Sequence, residues 1–346
     1  MQSVSSATLA LGRSQPLRLP GPLAPQRTKY LGLRCPRCFA NLVGMTYHAL
    51  GQKHEAIECG ECLQVIAQEQ RIWLALPDDR RRHFERFIRD YQVVRRAEHR
   101  GSDDARFYLS LPYVDHDDLN AWQWAIRART YKHIERAILP FVNSKTSQPV
   151  TVLDLGAGNG WLSYRLSTQG HHPIAVDLQT DAFDGLGAAI YYQHALPVLF
   201  PRFQAELDRL PFADGQFDCA IFNASFHYSE NYDRTLSEAI RCLRSGGTVV
   251  IADTPTYSSD SAGQRMLAER RKSFQNRFGF PSDSLASCEY LTKERLRVLE
   301  ARHDLAWRTH NVWYGIRWAC RPLLANLKGR REPSQFRIYT AQVKTQ

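Results

Sequence analysis

The stretch from Val150 to Ser163 constrains the fold of this chain more than any other part of its sequence. Its first six residues are apolar except for Thr151 and Asp154, which is typical of a parallel strand buried on both faces. The strand is followed by three alternating glycines, which are Gly156, Gly158 and Gly160. Glycines in such a turn adopt positive φ or let the backbone approach a ligand closely. The pattern therefore predicts a strand, a ligand-binding turn and a helix at the carboxyl edge of a sheet.

Three later segments carry related signals. The apolar run 172–177 ends in Asp177, where nucleotide-binding folds place the acid that accepts hydrogen bonds from ribose hydroxyls. Residues 205–218 contain Leu-Pro-Phe, then an acid, and then Phe-Asp. Residues 239–251 combine the end of a helix, a Gly-Gly turn and an apolar strand. In this order the segments predict the alternating strands and helices of a parallel α/β sheet.

Together these segments resemble the motifs of class I S-adenosylmethionine-dependent methyltransferases of the type 11 group. The sequence Asp-x-Gly-x-Gly-x-Gly at 154–160 is similar to motif I of that family, whereas the dinucleotide-binding fingerprint is Gly-x-Gly-x-x-Gly. The resemblance implies an α/β fold with a doubly wound, seven-stranded Rossmann-like sheet. We expect its strands near 150–155, 172–177, 202–206, 218–223, 247–252, 305–312 and 336–343, the last of them antiparallel.

The resemblance also implies a binding site for S-adenosylmethionine. Asp154 and the glycine turn would hold the methionine end of this cofactor, and Asp177 would accept hydrogen bonds from its ribose. Glu206 aligns with an acid, usually Asp, that lies near adenine in the family, and Asp208 takes that place if the alignment shifts by two residues. The implied cofactor-binding residues are Asp154, Gly156, Gly158, Gly160, Asp177, Leu178, Glu206, Leu207 and Asn223.

The predicted strand 218–223 ends in Asn223, and His227 follows shortly after it. In the family this strand end faces the transferred methyl group, so both residues are candidate catalytic residues. An imidazole with a pKa of about 6.5 is suited to act as a general base, and equally to be a hydrogen-bonded wall residue. The strand end lacks the Asn/Asp-Pro-Pro-aromatic sequence that marks methylation of exocyclic base amines, and neither Cys219 nor Cys242 is placed like the nucleophile of cytosine-C5 enzymes.

Two Cys-x-x-Cys pairs separated by 20 residues precede the predicted sheet. Their cysteines are Cys35, Cys38, Cys59 and Cys62. The spacing is typical of a four-thiolate zinc site; disulfides are the alternative, which a cytoplasmic setting disfavours. A closed shell of four thiolates leaves no coordination position for a substrate, so the Zn²⁺ would be structural. We therefore predict a zinc ribbon, an arrangement similar to that of ribosomal RNA guanine methyltransferases.

The domain organisation follows from these motifs and from composition. We expect a disordered tail at 1–29, the zinc ribbon at 30–77, a helical cap or linker at 78–147, and a methyltransferase domain at 148–346 with an insertion at about 256–300. Further helices are expected at 267–278, which is strongly basic, and at 313–328.

Two amphipathic helices are predicted in the cap. The first begins at Asp78 and carries apolar residues at spacings of three and four, which favours packing on the core. The second runs from about 117 to 139, where Pro140 is expected to end it. On the family resemblance, Arg127 and Tyr131 of this second helix are candidates to meet the methionine moiety, and plain packing is the alternative.

The formal net charge of +10 originates at the two ends of the chain. Residues 1–54 contain seven Lys and Arg and no acid, and residues 316–346 contain seven against Glu332 alone. Basic ends favour contact with phosphate, but they are also common on enzymes that bind no nucleic acid. No run approaches the roughly 18 consecutive apolar residues of a membrane span, and we expect a cytoplasmic location.

We predict a methyltransferase that uses S-adenosylmethionine and acts on a small-molecule acceptor. The Leu-Pro-Phe-x-Asp sequence most resembles the broad family that methylates metabolites, quinones and lipids. One alternative is an RNA methyltransferase that binds rRNA or tRNA through the zinc ribbon. Another is a non-catalytic S-adenosylmethionine-binding protein with a regulatory or interaction role.

Overall fold

The computed structural model describes residues 31–42, 56–114, 119–143 and 149–344, and the residues from Gly32 onward form one unit. The predicted tail at 1–29 lies outside the described residues. The strands are β1 Ala56–Glu58, β2 Val65–Glu69, β3 Ile72–Leu74, β4 Thr151–Leu155, β5 His172–Asp177, β6 Arg202–Gln204, β7 Phe217–Asn223, β8 Leu243–Ala252, β9 Arg308–His310 and β10 Ile338–Gln342. The helices are α1 Asp78–Ala97, α2 Ala105–Ser110, α3 Ala121–His133, α4 Leu139–Asn143, α5 Trp161–Thr168, α6 Tyr232–Cys242, α7 Asp260–Phe278, α8 Lys293–His303, α9 Ile316–Ala319 and α10 Arg321–Leu327.

These strands form one sheet in the order β1-β2-β3-β6-β5-β4-β7-β8-β10-β9. The five central strands β6-β5-β4-β7-β8 are parallel, and β10 pairs antiparallel with both β8 and β9. The predicted doubly wound, seven-stranded α/β sheet is therefore confirmed as β4 to β10. Among the described helices, none combines the length and apolar character that crossing a membrane requires.

The turn between β4 and α5 has the predicted geometry. Val152, Leu153 and Leu155 are fully buried, as expected for a strand covered on both faces. The three glycines of the turn have φ values of +74°, +56° and +77°. A Cβ atom on Gly156 would lie 2.2 Å from the Cβ of Ser225, so this position also requires glycine for close backbone approach.

The segment that carries the four cysteines (residues 32–42 and 56–76, the cysteine segment) joins the same sheet. Its strands β1, β2 and β3 form an antiparallel meander, and β3 pairs in parallel with β6. Leu33 also forms an antiparallel bridge to Phe212. The sequence did not predict this pairing, because no local pattern states which strand covers the edge of a sheet.

Three predicted helices differ from the structure in their bounds. Pro140 does not end the second cap helix, which continues from α3 through a π-helical turn at Ile134–Ile138 into α4. In that turn the N–H of Leu139 donates to the carbonyl of Ile134, five residues back. The wider turn is where a helix accommodates a proline, since proline lacks an N–H and its ring crowds the preceding turn.

The helix predicted at 313–328 is divided into α9 and α10. The break lies at Cys320, shortly before Pro322, which occupies the first turn of α10. Proline is well tolerated there but cannot donate to a preceding helical turn. The predicted basic helix within the insertion is longer than expected, because α7 begins at Asp260 after the Ser259 cap.

Candidate functional site

A cavity opens at the carboxyl ends of β4, β5 and β7, beneath α1 and α3. Of the nine cofactor-binding residues predicted from the sequence, seven line it: Asp154, Gly156, Gly158, Asp177, Leu178, Leu207 and Asn223. Gly160 and Glu206 do not line the cavity. Parallel strands bring side chains from distant parts of the chain to one edge, which explains why these motifs meet.

Asp154 fixes the glycine turn from inside the sheet. Its side chain is buried, and Oδ2 accepts a hydrogen bond of 2.7 Å from the hydroxyl of Ser163 on α5. Burial raises the pKa of Asp154 to about 7, and the hydrogen bond from Ser163 opposes that rise. The carboxyl group thus ties the end of β4 to the start of α5.

Asp177 is the carboxylate at the end of β5. Its Oδ2 accepts a 2.7 Å hydrogen bond from the N–H of Gly158, and its Oδ1 accepts one of 2.8 Å from the N–H of Gln179. Burial raises the pKa of Asp177 to about 6, while the two N–H groups lower it. Each carboxylate oxygen has a further lone pair for a donor in the cavity.

Glu206 lies outside the cavity and is bound to α1. Arg80 donates from Nε to Glu206 Oε1 at 2.9 Å and from Nη2 to Oε2 at 2.7 Å. The neighbours Ala205 and Leu207 line the cavity instead, because alternate side chains of an extended segment point in opposite directions. Asp208 is also absent from the lining and accepts a hydrogen bond from Thr235. An adenine contact by Glu206 or Asp208 therefore has no geometric support.

The structure adds an aromatic wall that sequence reasoning had assigned to packing. Phe87 and Tyr91 of α1 and Tyr228 line the cavity, with ring centroids 5.6 to 5.9 Å apart. Arg95 of α1 lies over the Tyr91 ring and forms an ion pair with Asp184. The spacing of the apolar residues in α1 was visible in the sequence. The sequence did not show which face of this helix lines the cavity.

Arg127 is the cap residue that reaches the cavity. It lies 4.9 Å from the ring centroid of Trp124, and the described residues place no carboxylate within ion-pairing distance of it. Burial lowers the pKa of Arg127, and the nearby Arg95 adds to that effect. Tyr131, the other candidate, packs against Trp161 and does not line the cavity.

Of the two catalytic residues predicted near the end of β7, one lines the cavity and the other does not. Asn223 lines the cavity, and its buried Oδ1 has no hydrogen-bond partner among the described residues. His227 does not line the cavity and packs beside Tyr228, with ring centroids 4.4 Å apart. Burial, with nearby Arg270 and Arg127, lowers the pKa of His227 to about 3, so the ring is neutral near pH 7. A general-base role for His227 stays a prediction, and the cavity geometry gives it no support.

Asp253 is a functional candidate that sequence reasoning missed. It follows β8, whose last residue, Ala252, pairs with Asn223. Asp253 Oδ1 accepts a 2.6 Å hydrogen bond from Thr130, while its buried Oδ2 has no partner in the described part of the chain. Burial raises the pKa of Asp253 to about 6, and its φ of 51° is unusual for a residue other than glycine. An acid directly after a predicted strand was the available signal.

The four cysteines of the cysteine segment meet, with all four Sγ atoms within 4.8 Å of one another. Cys35 and Cys62 have sulfurs 3.5 Å apart, and those of Cys38 and Cys59 are 3.6 Å apart. Disulfide sulfurs would lie about 2.05 Å apart, whereas a tetrahedral zinc shell with bonds of about 2.3 Å separates them by roughly 3.8 Å. All four are free thiols here, and their spacing fits a metal ion better than disulfides.

Comparison with known proteins is consistent with this site. Residues 153–251 match the family model described as a methyltransferase domain. The matched residues run from β4 to β8 and include the glycine turn, Asp177 and Asn223.

The chain also has curated relatives over part of its length. A malonyl-acyl-carrier-protein O-methyltransferase of Buchnera aphidicola is 27% identical over 145 residues, which cover 40% of this chain and 53% of that protein. The protein of the same name from Geobacter sulfurreducens is 29% identical over 171 residues, covering 47% of this chain and 53% of the relative. The chain thus spans about half the length of the curated relatives it matches.

Among solved structures, an S-adenosylmethionine-dependent methyltransferase from Mesorhizobium loti is similar to this chain. It has 20% sequence identity and a TM-score of 0.39, and the match covers 59% of this chain and 96% of that structure.

Proposed function

We propose that this protein transfers a methyl group from S-adenosylmethionine to a small-molecule acceptor. The observation that carries the proposal is the convergence of Asp154, the glycine turn, Asp177 and Asn223 on one cavity of a methyltransferase domain. The sulfonium of this cofactor activates the methyl group, so the protein mainly supplies position and orientation.

The cavity residues fit the parts of this cofactor. Asp177 presents two carboxylate oxygens to the ribose hydroxyls, and its bonds to Gly158 and Gln179 hold it in place. The glycine turn gives backbone access where a Cβ on Gly156 would clash with Ser225. Arg127 supplies a cation without an ion-pair partner in the described chain, suited to a carboxylate.

Asn223 and Asp253 indicate how the acceptor is handled. Each has a buried oxygen without a hydrogen-bond partner among the described residues, and the two residues lie at neighbouring strand ends. Both oxygens accept hydrogen bonds, so they suit an acceptor that carries an N–H or O–H group. Of the two residues Asn223 lines the cavity, so we propose that its Oδ1 accepts a hydrogen bond from the acceptor and orients it, while Asp253, bound by Thr130, supports the neighbouring strand end.

We also propose that the cysteine segment binds one structural Zn²⁺. The sulfur spacing supports this, and four protein ligands leave no position for a reacting water. The proposed role is stability, since the short strands β1 to β3 have little core of their own. Because β3 pairs with β6, the bound ion would also stabilise the edge of the methyltransferase domain.

Calorimetry with S-adenosylmethionine and S-adenosylhomocysteine tests the cofactor proposal, and the absence of saturable binding of either would overturn it. Turnover is tested with methyl-labelled S-adenosylmethionine and metabolite extracts from cells that lack the protein. A labelled small molecule that forms with these extracts, and does not form with extracts of wild-type cells, supports the small-molecule acceptor. Binding without any transferred label would favour a non-catalytic protein, and label in RNA would favour an RNA methyltransferase.

A further inference from the structure

The helices α9 and α10 expose apolar side chains that nothing in the described part of the chain covers. Neither helix contains a buried residue. Ile316, Leu323, Leu324 and Leu327 are each between 48% and 74% exposed. We call these four residues the apolar patch. Single exposed apolar residues are common, whereas a group of them marks a surface that meets another molecule or a membrane.

The apolar patch is continuous across the break between α9 and α10. The N–H of Cys320 donates to the carbonyl of Ile316, and the N–H of Leu324 donates to that of Cys320. Bonds between residues four apart place Ile316 and Leu324 along one line of the helical stretch. Within α10, Leu327 follows Leu323 by four residues and Leu324 by three, so the three leucines share one face.

Packing on another side of this stretch fixes the outward direction of the apolar patch. The ring of Trp318 lies 5.2 Å from the ring of Tyr314 and 5.2 Å from that of Phe336, measured between centroids. The guanidinium of Arg321 lies over the Trp318 ring and donates to the carbonyl of Ser334. Since Trp318 is two residues from Ile316, the two side chains point to opposite sides of α9. The helices are therefore held to the fold by one side only.

Two exposed tryptophans border the apolar patch. Trp122 of α3 has its ring centroid 6.5 Å from that of Trp318, and Arg317 of α9 lies over the Trp122 ring. Trp313 precedes α9 by three residues and is 67% exposed. Tryptophan combines an apolar ring with a polar N–H, and it is enriched where lipid meets water. Leucines bordered by tryptophans are typical of a surface that enters a lipid interface.

Cations without a protein partner follow the same stretch. Arg317 belongs to α9, and Lys328 and Arg330 come shortly after the last residue of α10. All three residues are exposed, and no carboxylate of the described residues lies within ion-pairing distance of them. The ion pairs of this end of the chain are made by Arg331 and Lys344 instead. An anionic surface would pair with charges that the described protein leaves unpaired.

The basic helix α7 adds further cations beside this stretch. Arg331 pairs with Glu269 of α7, which brings the segment after α10 to this helix. Arg265 and Lys272 lie four residues before and three residues after Glu269, so they share its face, and both are exposed. Two separate parts of the sequence therefore supply basic residues to one surface.

We propose that the apolar patch docks on an anionic lipid membrane, with α9 and α10 lying in the plane of the interface. The leucines enter the boundary of the acyl chains, and the tryptophans lie at the level of the headgroups. The unpaired cations contact lipid phosphate. None of the patch residues lines the cofactor cavity, so this docking does not depend on the proposed methyl transfer.

Charge distinguishes a membrane from the other occupants of the apolar patch. In a symmetric dimer through the patch, Lys328 and Arg330 of two copies would approach each other, and like charges oppose association. Residues 1–30 contain four Lys and Arg and no acid, so that segment would add cations to cations. A nucleic acid would pair with the cations but would leave the leucines in water.

The test is co-sedimentation of the full-length, zinc-loaded protein with lipid vesicles. We expect saturable binding to vesicles of phosphatidylcholine mixed with phosphatidylglycerol, much weaker binding to phosphatidylcholine alone, and loss of affinity as salt is raised. The double variant Leu323→Gln, Leu327→Gln should weaken binding by about 30-fold, because two leucines no longer enter the interface. The double variant Lys328→Gln, Arg330→Gln should weaken binding to the anionic vesicles by about 30-fold.

Matched control variants change the same kinds of residue elsewhere. Ile190→Gln with Val198→Gln removes two exposed apolar side chains that precede β6, and Arg81→Gln with Arg82→Gln removes two exposed arginines of α1. Both controls should bind vesicles within about threefold of the wild type. Thermal unfolding verifies that each variant is folded, since every substituted residue is exposed.

Absence of binding to the anionic vesicles would overturn the proposal, and so would a leucine variant that binds as tightly as its control. Equal losses in the two variants that remove cations would show attraction by the net charge of +10 alone, which also overturns a docking site. Sedimentation velocity tests a second copy as the occupant: a wild-type dimer that the leucine variant converts to a monomer would overturn the membrane proposal. Binding that needs both the leucines and phosphatidylglycerol supports it.

Discussion

Asp177 ends β5 with both carboxylate oxygens bound by backbone N–H groups, and Asp177→Asn changes that arrangement in a predictable way. Asparagine keeps one acceptor oxygen, but its NH₂ group replaces the other. That NH₂ would face the N–H of Gly158 or of Gln179, and two donors cannot bond each other. The substitution therefore removes the charge and turns one of the two anchored oxygens away from its partner.

The magnitude follows from the bonds that are changed. Hydrogen bonds to a charged group contribute about 1.5–3 kcal/mol each, against about 1 kcal/mol for neutral pairs. Asp177→Asn removes the negative charge from both proposed hydrogen bonds to the ribose, and it also removes one acceptor oxygen. These losses should weaken S-adenosylmethionine binding by about 2–4 kcal/mol, or roughly 30- to 1000-fold. The measurement is titration calorimetry near pH 7.5, with thermal unfolding to verify that the variant is folded.

The same carboxylate predicts a pH dependence. Burial raises the pKa of Asp177 to about 6, so lowering the pH through 6 protonates it and removes the charge that the ribose contacts need. Affinity should be highest above pH 7 and fall by about tenfold between pH 7.5 and pH 5. Asp154, with a pKa of about 7, titrates in the same cavity, so the pH dependence that remains in Asp177→Asn reports on Asp154.

Glu206→Gln is the matched control, because it neutralises an acid that the family alignment places near adenine but that the structure pairs with Arg80. Its affinity for S-adenosylmethionine should stay within about threefold of the wild type. The reasoning is refuted if Asp177→Asn also stays within that range, or if Glu206→Gln loses affinity as strongly. An affinity that is constant from pH 7.5 to pH 5 would refute the assigned role of the Asp177 charge.

Three further predictions concern the metal, the acceptor and the turn. The purified protein should contain about one Zn²⁺ per chain, and the double variant Cys35→Ser, Cys59→Ser should lose it; metal retained in elemental analysis would contradict the thiolate site. Asn223→Ala removes a hydrogen-bond acceptor from the cavity and should lower transfer of labelled methyl by about tenfold, and unchanged transfer would contradict the proposed contact with the acceptor. Gly156→Ala forces a Cβ to 2.2 Å from that of Ser225 at φ +74°, so thermal unfolding should shift downward by several degrees, and an unshifted melting temperature would contradict the packing.

The sequence predicted the strand positions well, because hydrophobic runs and glycine turns are local signals. β4, β5 and β7 lie within one residue of their predicted bounds, and the glycine turn has the expected positive φ. β8 begins earlier than predicted, at Leu243, because Leu243 pairs with Phe217 before an irregularity at the Gly-Gly turn, after which pairing with β7 resumes at Thr248. The sequence also predicted that the four cysteines meet at one site, because two Cys-x-x-Cys pairs at this spacing are typical of four ligands around one metal ion.

Side-chain direction near strand ends was not predictable in the same way. Glu206 fits the family pattern, yet it is bound to Arg80 of α1, a residue 126 positions earlier in the chain. His227 follows the expected strand, yet it does not line the cavity, whereas Asn223, the last residue of that strand, does. The direction of each of these side chains depends on which helix or strand packs against it. A short segment of sequence does not contain that information.

The sequence by itself determined the central sheet, its nucleotide-type turn and the cysteine cluster, because each depends on spacing within a short segment. The tertiary structure alone decided that β3 covers the β6 edge, that α1 supplies an aromatic wall to the cavity, and that Arg202 donates to the carbonyl of Gln70 in the β2–β3 turn. These contacts join residues more than 100 positions apart. Their formation depends on the packing of whole elements, which no periodicity in a single segment specifies.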